Sequence, residues 1–220
     1  MGLLAKHHLF AKKSKCMFAC EEVEYLGHII LREGVKIDPR KTAAMQQWPI
    51  PKDIKALRGF LGLTDSYRKS VKGYSQIAAP LTTLLKKNSF SWTDKAEQAF
   101  NHLKLAISNP PVLALPDFSQ TFTMECDTSG LGLGAVLMQN SRPIAFHSQA
   151  LKGKALTLST YEKELLALVT AVKKMEAIFG RKALSYQDGL GESQVLAGSE
   201  GWHSSSAEMD FQAYGVCFHS

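Results

Sequence analysis

The sequence predicts a mixed α+β / α/β chain: a β-hairpin followed by short helices, then an incomplete mixed sheet with helices packed on it. Three observations carry this. Apolar residues fall at helical spacing in several capped segments, most clearly in "LSTYEKELLALVTAVKKMEAIF". Three short strand-like runs, "TFTMECD", "GAVLMQ" and "PIAFHS", follow one another with only turn residues between them. From about Arg181 onward neither period is sustained.

Taken in order, "YLGHII" reads as a strand, "REG" as a turn and "VKID" as a second strand closed by Pro39. Asp38 and Pro39 provide an N-cap and a first-turn proline for "RKTAAMQQW". Asp53 caps a helix carrying Ile54, Leu57, Phe60 and Leu61, with Tyr67 near the same spacing. Pro80 is expected just before a further short helix, "LTTLLKK". Thr93 or Asp94 caps a helix with Ala96, Phe100, Leu103 and Ile107 on one face, ended by Pro110 and Pro111. The three strand runs predict an antiparallel meander. Ser159 and Glu162 stand in capping-box spacing at the start of the longest helix, whose apolar stripe is Leu165, Leu168, Val169, Val172 and Met175. The Gly- and Ser-rich residues 183–220 are expected to be poorly ordered.

Composition narrows the function classes. At 220 residues with 45% apolar content, the chain can fill one or two cores. No run of 18 apolar residues spans a membrane, and His and Lys interrupt the first residues before a signal-peptide core forms. Cys16, Cys20, Cys126 and Cys217 form no CxxC pair, which argues against a zinc site or disulfide framework and fits an intracellular, reducing compartment. The net charge of +6 is uneven: residues 1–90 carry 16 Lys and Arg against 7 Asp and Glu, and residues 91–220 carry 10 against 13. The basic half is therefore the candidate polyanion contact.

The chemistry centres on "MECDTSGLGLGAVLMQN". Strand alternation puts Phe122, Met124 and Cys126 on one face and Thr121, Thr123, Glu125 and Asp127 on the other. Gly130, Gly132 and Gly134 leave the neighbouring strand bare, as where a backbone or ligand comes close. Two familiar readings fail. The GxGxG spacing departs from the dinucleotide fingerprint and leads into a strand instead of a helix. In "DTSG" Ser129 separates Asp-Thr from Gly130, which breaks the aspartic-protease triplet.

The ordered strings "YLGHIILREGVKIDPRK", "LRGFLGLTDSYRK", "IAAPLTTLLKK", "FSWTDKAEQAFNHLK", "PVLALPDFSQTFTMECDTSGLGLGAVLMQ", "RPIAFHSQAL" and "STYEKELLALVTAVKK" together resemble the Pol polyprotein of gypsy-type long-terminal-repeat retrotransposons, over roughly residues 8 to 182. The resemblance implies domains at residues 1–88 (the end of the reverse transcriptase palm and the thumb) and 89–182 (a connecting helix and the first half of a ribonuclease H-like domain). Residues 183–220 would be an aberrant tail from a frameshift or mis-spliced exon.

Ribonuclease H cuts the RNA of an RNA–DNA hybrid with carboxylates that hold two divalent ions about 4 Å apart. The resemblance makes Asp127 the first metal-binding acid and Glu164 the second, with Mg²⁺ or Mn²⁺ as cofactor. Spacing alone does not choose between Glu162 and Glu164, both of which flank the apolar stripe. The family's later strand, ending in T-D-[HQ], and its fourth carboxylate are not found in this sequence, and Asp188 in "SYQDGLG" is the candidate stand-in.

The paired aspartates of the polymerase palm are expected to lie before this segment. The resemblance gives Tyr25, Leu26, Gly27 and His28 a primer-grip role. Lys12, Lys13, Lys15, Lys69 and Lys72 are candidate phosphate contacts. Polar Asp65, Ser66 and Ser70 stand where the family's thumb is apolar.

The expected activity is residual nucleic-acid binding with little or no hydrolysis. Two competing readings are a working ribonuclease H that recruits a tail acid, and a self-associating module that exposes its longest helix. The expected partners are RNA–DNA hybrid or other nucleic acid, the remainder of the polyprotein and a second copy of the chain; no membrane partner is expected.

Overall fold

The computed structural model describes residues 6–8, 10, 12, 16, 17 and 19–179, and the backbone of 184–187 and 193–196. Strands β1 (Glu22–Tyr25), β2 (His28–Leu31) and β3 (Gly34–Ile37) form an antiparallel sheet in that order. The sequence predicted two strands here. The extra turn falls inside "YLGHII", because Leu26 and Gly27 both take positive φ, +49° and +80°, and so reverse the chain in two residues. A leucine in that conformation leaves no mark in a propensity pattern.

Helix α1 (Pro39–Gln46) starts where predicted, with Asp38 Oδ1 accepting from Arg40 N at 2.8 Å. Helix α2 (Ile54–Asp65) is capped by Asp53, which accepts from Ala56 N at 2.7 Å. A 3-10 turn, Arg68–Ser70, leads into α3 (Tyr74–Thr83). This helix begins seven residues before the predicted start at Leu81 and contains Pro80. It does so because Tyr74, Ala78 and Leu81 are buried on one face, and Tyr74 Oη bonds Thr64 Oγ1 at 2.9 Å; that packing outweighs the missing proline N–H. Helix α4 (Asp94–Ser108) has Thr93 as cap. One core unites these elements around Met45, Leu57, Phe60, Leu81, Phe100 and Leu103.

The predicted meander is β4 (Phe122–Thr128), β5 (Gly132–Gln139) and β6 (Arg142–Ala150). After α5 (Thr160–Phe179), two strands arise where the sequence showed no strand pattern: β7 (Leu184–Gln187) and β8 (Ser193–Leu196). The sheet order is β6-β5-β4-β7-β8, with β7 parallel to β4 and the other pairings antiparallel. It is the mixed sheet the sequence predicts, extended by two strands from within the segment expected to be poorly ordered. Residues 188–192 and 197–220 lie outside the described residues.

Helix α5 covers the face carrying Phe122, Met124, Cys126, Leu133 and Leu137, with Ala171, Met175 and Phe179 turned inward. Of its predicted stripe, Val169, Val172 and Met175 are buried and Leu165 and Leu168 half-buried. Thus much of the apolar surface that a self-associating module would need is covered within the chain.

The helical half docks on this sheet through polar contacts. Ser75 N donates to Ser148 Oγ at 2.8 Å, Ser75 Oγ donates to Ser148 O at 2.7 Å, and Arg68 Nη2 donates to the same carbonyl at 3.2 Å. A second tie runs through Leu113, which exchanges backbone hydrogen bonds with Val35 at 2.7 and 2.9 Å, while Ala114 N donates to Pro143 O.

Candidate nucleic-acid and carboxylate site

Asp127 sits next to the end of β4, in register with Gly134 on β5, which is in turn opposite Ser148 on β6. The predicted alternation holds: Phe122, Met124 and Cys126 are buried under α5, while Glu125 and Asp127 are exposed. Asp127 therefore projects from the face opposite α5. There it lines a groove of about 670 Å³ with Glu125, Gly134 and Phe146 of the sheet and Lys72 and Gln76 of the helical half.

The loop after Asp127 is closed by Ser129. Its N–H donates to Gly132 O at 2.8 Å, and its Oγ accepts from Gly132 N at 3.1 Å. This fixes the reversal between β4 and β5 right beside the acid.

The bare glycines have separate explanations. A Cβ on Gly132 would lie 2.8 Å from Gln76 Nε2, whereas one on Gly134 would meet nothing closer than 3.8 Å and one on Gly130 nothing within 4 Å. The close approach expected at this strand is thus made at Gly132 by a side chain of α3. Gln76 Nε2 also donates to Leu133 O at 3.1 Å.

Helix α5 runs antiparallel to β4. Its early residue Leu166 lines a cleft with Gln149, Ala150 and Leu151, beyond the Asp127 register, and its last residue, Phe179, meets Phe122 at 6.2 Å between ring centroids. The first turns of α5, and with them Glu164, are therefore at the Asp127 end of the sheet.

The structure also separates the two glutamates that spacing left open. Glu162 Oε2 accepts from Ser159 N and Ser159 Oγ, both at 2.7 Å, and these bonds hold its carboxyl below the usual range. Glu164 is exposed and accepts no hydrogen bond from a described residue. Only Glu164 keeps its carboxylate uncommitted.

Two carboxylates are too few for a pair of divalent ions. Among the described residues no three His, Cys, Asp or Glu side chains converge as a metal site. The described residues therefore do not complete the Mg²⁺ or Mn²⁺ centre that the resemblance implies, and Asp188 lies outside them.

The candidate nucleic-acid contacts divide. Tyr25 and Leu26 are exposed at the β1–β2 turn, while Gly27 and His28 are half-buried against Tyr67, the His28 and Tyr67 rings 5.3 Å apart. Lys12, Lys69 and Lys72 are exposed. Lys13 and Lys15 lie outside the described residues. Of the polar residues that stand where the resemblance expects apolar ones, Asp65 and Ser66 are exposed and Asp65 pairs with Arg68 at 3.4 Å; Ser70 is buried.

Sequence reasoning passed over Arg68, Gln76, His147 and Lys174. The pairing of Arg68 with Lys69 was visible in the sequence, but the fold alone brings either near the sheet.

The family model for the RNase H-like domain found in reverse transcriptase matches residues 92–185. The retrovirus-related Pol polyprotein from transposon 297 of Drosophila melanogaster is 44% identical over 188 residues, 84% of this chain and 18% of that one. An uncharacterized mitochondrial protein of Arabidopsis thaliana is 52% identical over 119 residues, 53% of this chain and 75% of that protein. Among solved structures, the foamy viral protease-reverse transcriptase in complex with RNA/DNA hybrid superposes with a TM-score of 0.74 at 19% identity, covering 92% of this chain and 29% of that one. That last likeness is one of fold. The chain spans under a fifth of the length of the transposon 297 polyprotein. These matches and the observed sheet agree: residues 92–185 match the RNase H-like domain found in reverse transcriptase, and the chain is similar to the portion of retrotransposon Pol polyproteins that bears it.

Proposed function

We propose that this chain is the thumb-to-nuclease portion of a gypsy-type polyprotein and that it holds RNA–DNA hybrid without the ligands needed to cut it. On this reading residues 1–88 are the palm end and thumb, and residues 89–182 the connecting helix and first half of the ribonuclease H-like unit. The ordered strings of the sequence support the gypsy-type assignment. The observation that carries the binding reading is that Lys72, from the basic half, and Asp127, from the sheet, line the same groove. A phosphate backbone held by the first is thereby led past the second.

Anisotropy of a labelled RNA–DNA hybrid, measured across a salt series, tests this. Binding that weakens steeply with salt, and more weakly so in Lys72→Gln, supports the reading. Salt-insensitive or absent binding overturns it.

A second reading, hydrolysis with a third ligand from the tail, is favoured by one observation. Strand β7 runs parallel to β4, pairing Glu125 with Gln187, and Asp188 is the next residue in the sequence. Mg²⁺-dependent cleavage abolished by both Asp127→Asn and Asp188→Asn would establish it.

A further inference from the structure

A cleft of about 340 Å³ separates the 3-10 turn of the helical half from the outer part of α5. It is lined by Arg68, Lys69, His147, Gln149, Lys174 and Met175, among others. That volume is near the lower end of the ~300–1,000 Å³ of small-ligand sites. Unlike the groove at Asp127, it has no acidic side chain among its lining residues. Its cations come from two separate parts of the chain, the 3-10 turn after α2 and the third quarter of α5, which the fold brings together.

Two features point to an anion. The Nε2 of His147 is buried and finds no hydrogen-bond partner among the described residues. A buried, unpartnered polar atom costs stability unless something completes it. In addition, Lys69 and Lys174 are exposed and enter no described ion pair. Arg68 is held in place by its Nη2 bonds to Ser148 O and Ser75 Oγ and by Asp65 at 3.4 Å from Nη1.

We propose that Arg68, Lys69 and Lys174, with His147, form a binding site for a phosphodiester of a nucleic-acid backbone, shared between the helical half and the nuclease sheet. The site deepens the hybrid-binding reading and rests on it. Phosphate oxygens accept from the lysine ammonium groups and from His147 Nε2–H, and the guanidinium adds a fixed positive charge. In the free chain, burial and then the charges of Arg68 and Lys174 push the His147 pKa down to about 4. A bound phosphodiester offsets those charges and raises it.

The test uses the full chain, with wild type compared with Lys69→Gln, Lys174→Gln and their double variant, and Lys95→Gln on α4 as control. Hybrid affinity is read by anisotropy over a salt series, and the His147 ring by NMR during additions of hybrid or inorganic phosphate. Each lost phosphate contact lowers the slope of log affinity against log salt by about 0.9. The expected result is a fall of about 2 in the double variant, no change in Lys95→Gln, and a His147 ring that titrates at higher pH with hybrid bound.

Wild-type binding with an unchanged slope in the double variant overturns the site and leaves the hybrid-binding reading standing. A wild type that does not bind hybrid overturns both. A ring that responds to inorganic phosphate but not to hybrid assigns the cleft to a free anion and overturns the nucleic-acid assignment.

Discussion

Ser75 donates two hydrogen bonds to Ser148, from its N to Ser148 Oγ at 2.8 Å and from its Oγ to Ser148 O at 2.7 Å, across the boundary between the helical half and the five-stranded sheet. Ser148 is buried, so water does not replace either bond. Position 148 is in register through Gly134 with Asp127. The docking of the basic half is thereby referred directly to the carboxylate strand.

Ser148→Ala leaves the part-buried Ser75 N–H without its acceptor. The expected cost is about 1–3 kcal/mol, measured as a lower urea midpoint, with faster amide exchange at Ser75. A variant as stable as wild type would show that the contact adds nothing to the docking.

Gly27 has φ of +80°, and a Cβ there would lie 2.5 Å from the Tyr67 hydroxyl. Gly27→Ala is therefore expected to destabilise by more than about 1 kcal/mol. Tyr67→Phe in the same chain removes the colliding oxygen and should restore part of the loss, leaving the share due to backbone conformation. Calorimetry of both variants separates the two contributions.

The glutamates of α5 should divide by role. Ser159→Ala removes the N-cap of a 20-residue helix and is expected to cost about 1 kcal/mol. Because the folded pKa of Glu162 is lowered, its stabilising effect is present above the unfolded value and is lost as pH falls through the folded one. Glu164→Gln, by contrast, should leave the melting temperature unchanged. Thermal melts of Ser159→Ala, Glu162→Gln and Glu164→Gln check this ordering.

His147 makes the fold acid-sensitive. Its folded pKa is pushed down to about 4 from 6.5, first by burial and then by Arg68 and Lys174. Between those values the unfolded chain binds the proton and the folded chain does not, so stability is intact above about pH 6.5 and declines toward pH 4. His147→Asn should flatten that decline in urea titrations at successive pH values. Asp117, whose pKa is lowered by bonds from Ser119 and Gln120, acts only further down, below its unfolded value of 3.8.

Caps and periodicity made much of the architecture readable. Asp38, Asp53, Thr93 and the Ser159–Glu162 pair each stand at a helix start, and the alternation of "TFTMECD" correctly separates Cys126 from Asp127. What escaped was decided by tertiary contact. Leu26 adopts a left-handed turn at a tip whose Gly27 packs on Tyr67, and α3 extends through Pro80 because Tyr74 has a buried partner in Thr64. Strands β7 and β8 are four residues each and add to the edge of a sheet already formed, so their own sequences need little strand pattern. At the site, the resemblance chose Asp127 and Glu164, and the fold adds that Glu162 is tied to Ser159 while Glu164 is exposed. The cluster of Arg68, His147 and Lys174 needed the fold itself.

The most direct test is to mix purified chain with a labelled RNA–DNA hybrid in Mg²⁺ or Mn²⁺, following binding and cleavage together beside Asp127→Asn and an RNA-only control. The account predicts binding that weakens steeply as salt rises, with the hybrid left intact. Cleavage lost in Asp127→Asn would show that the chain completes its metal site, and failure to bind hybrid even at low salt would contradict the account as a whole.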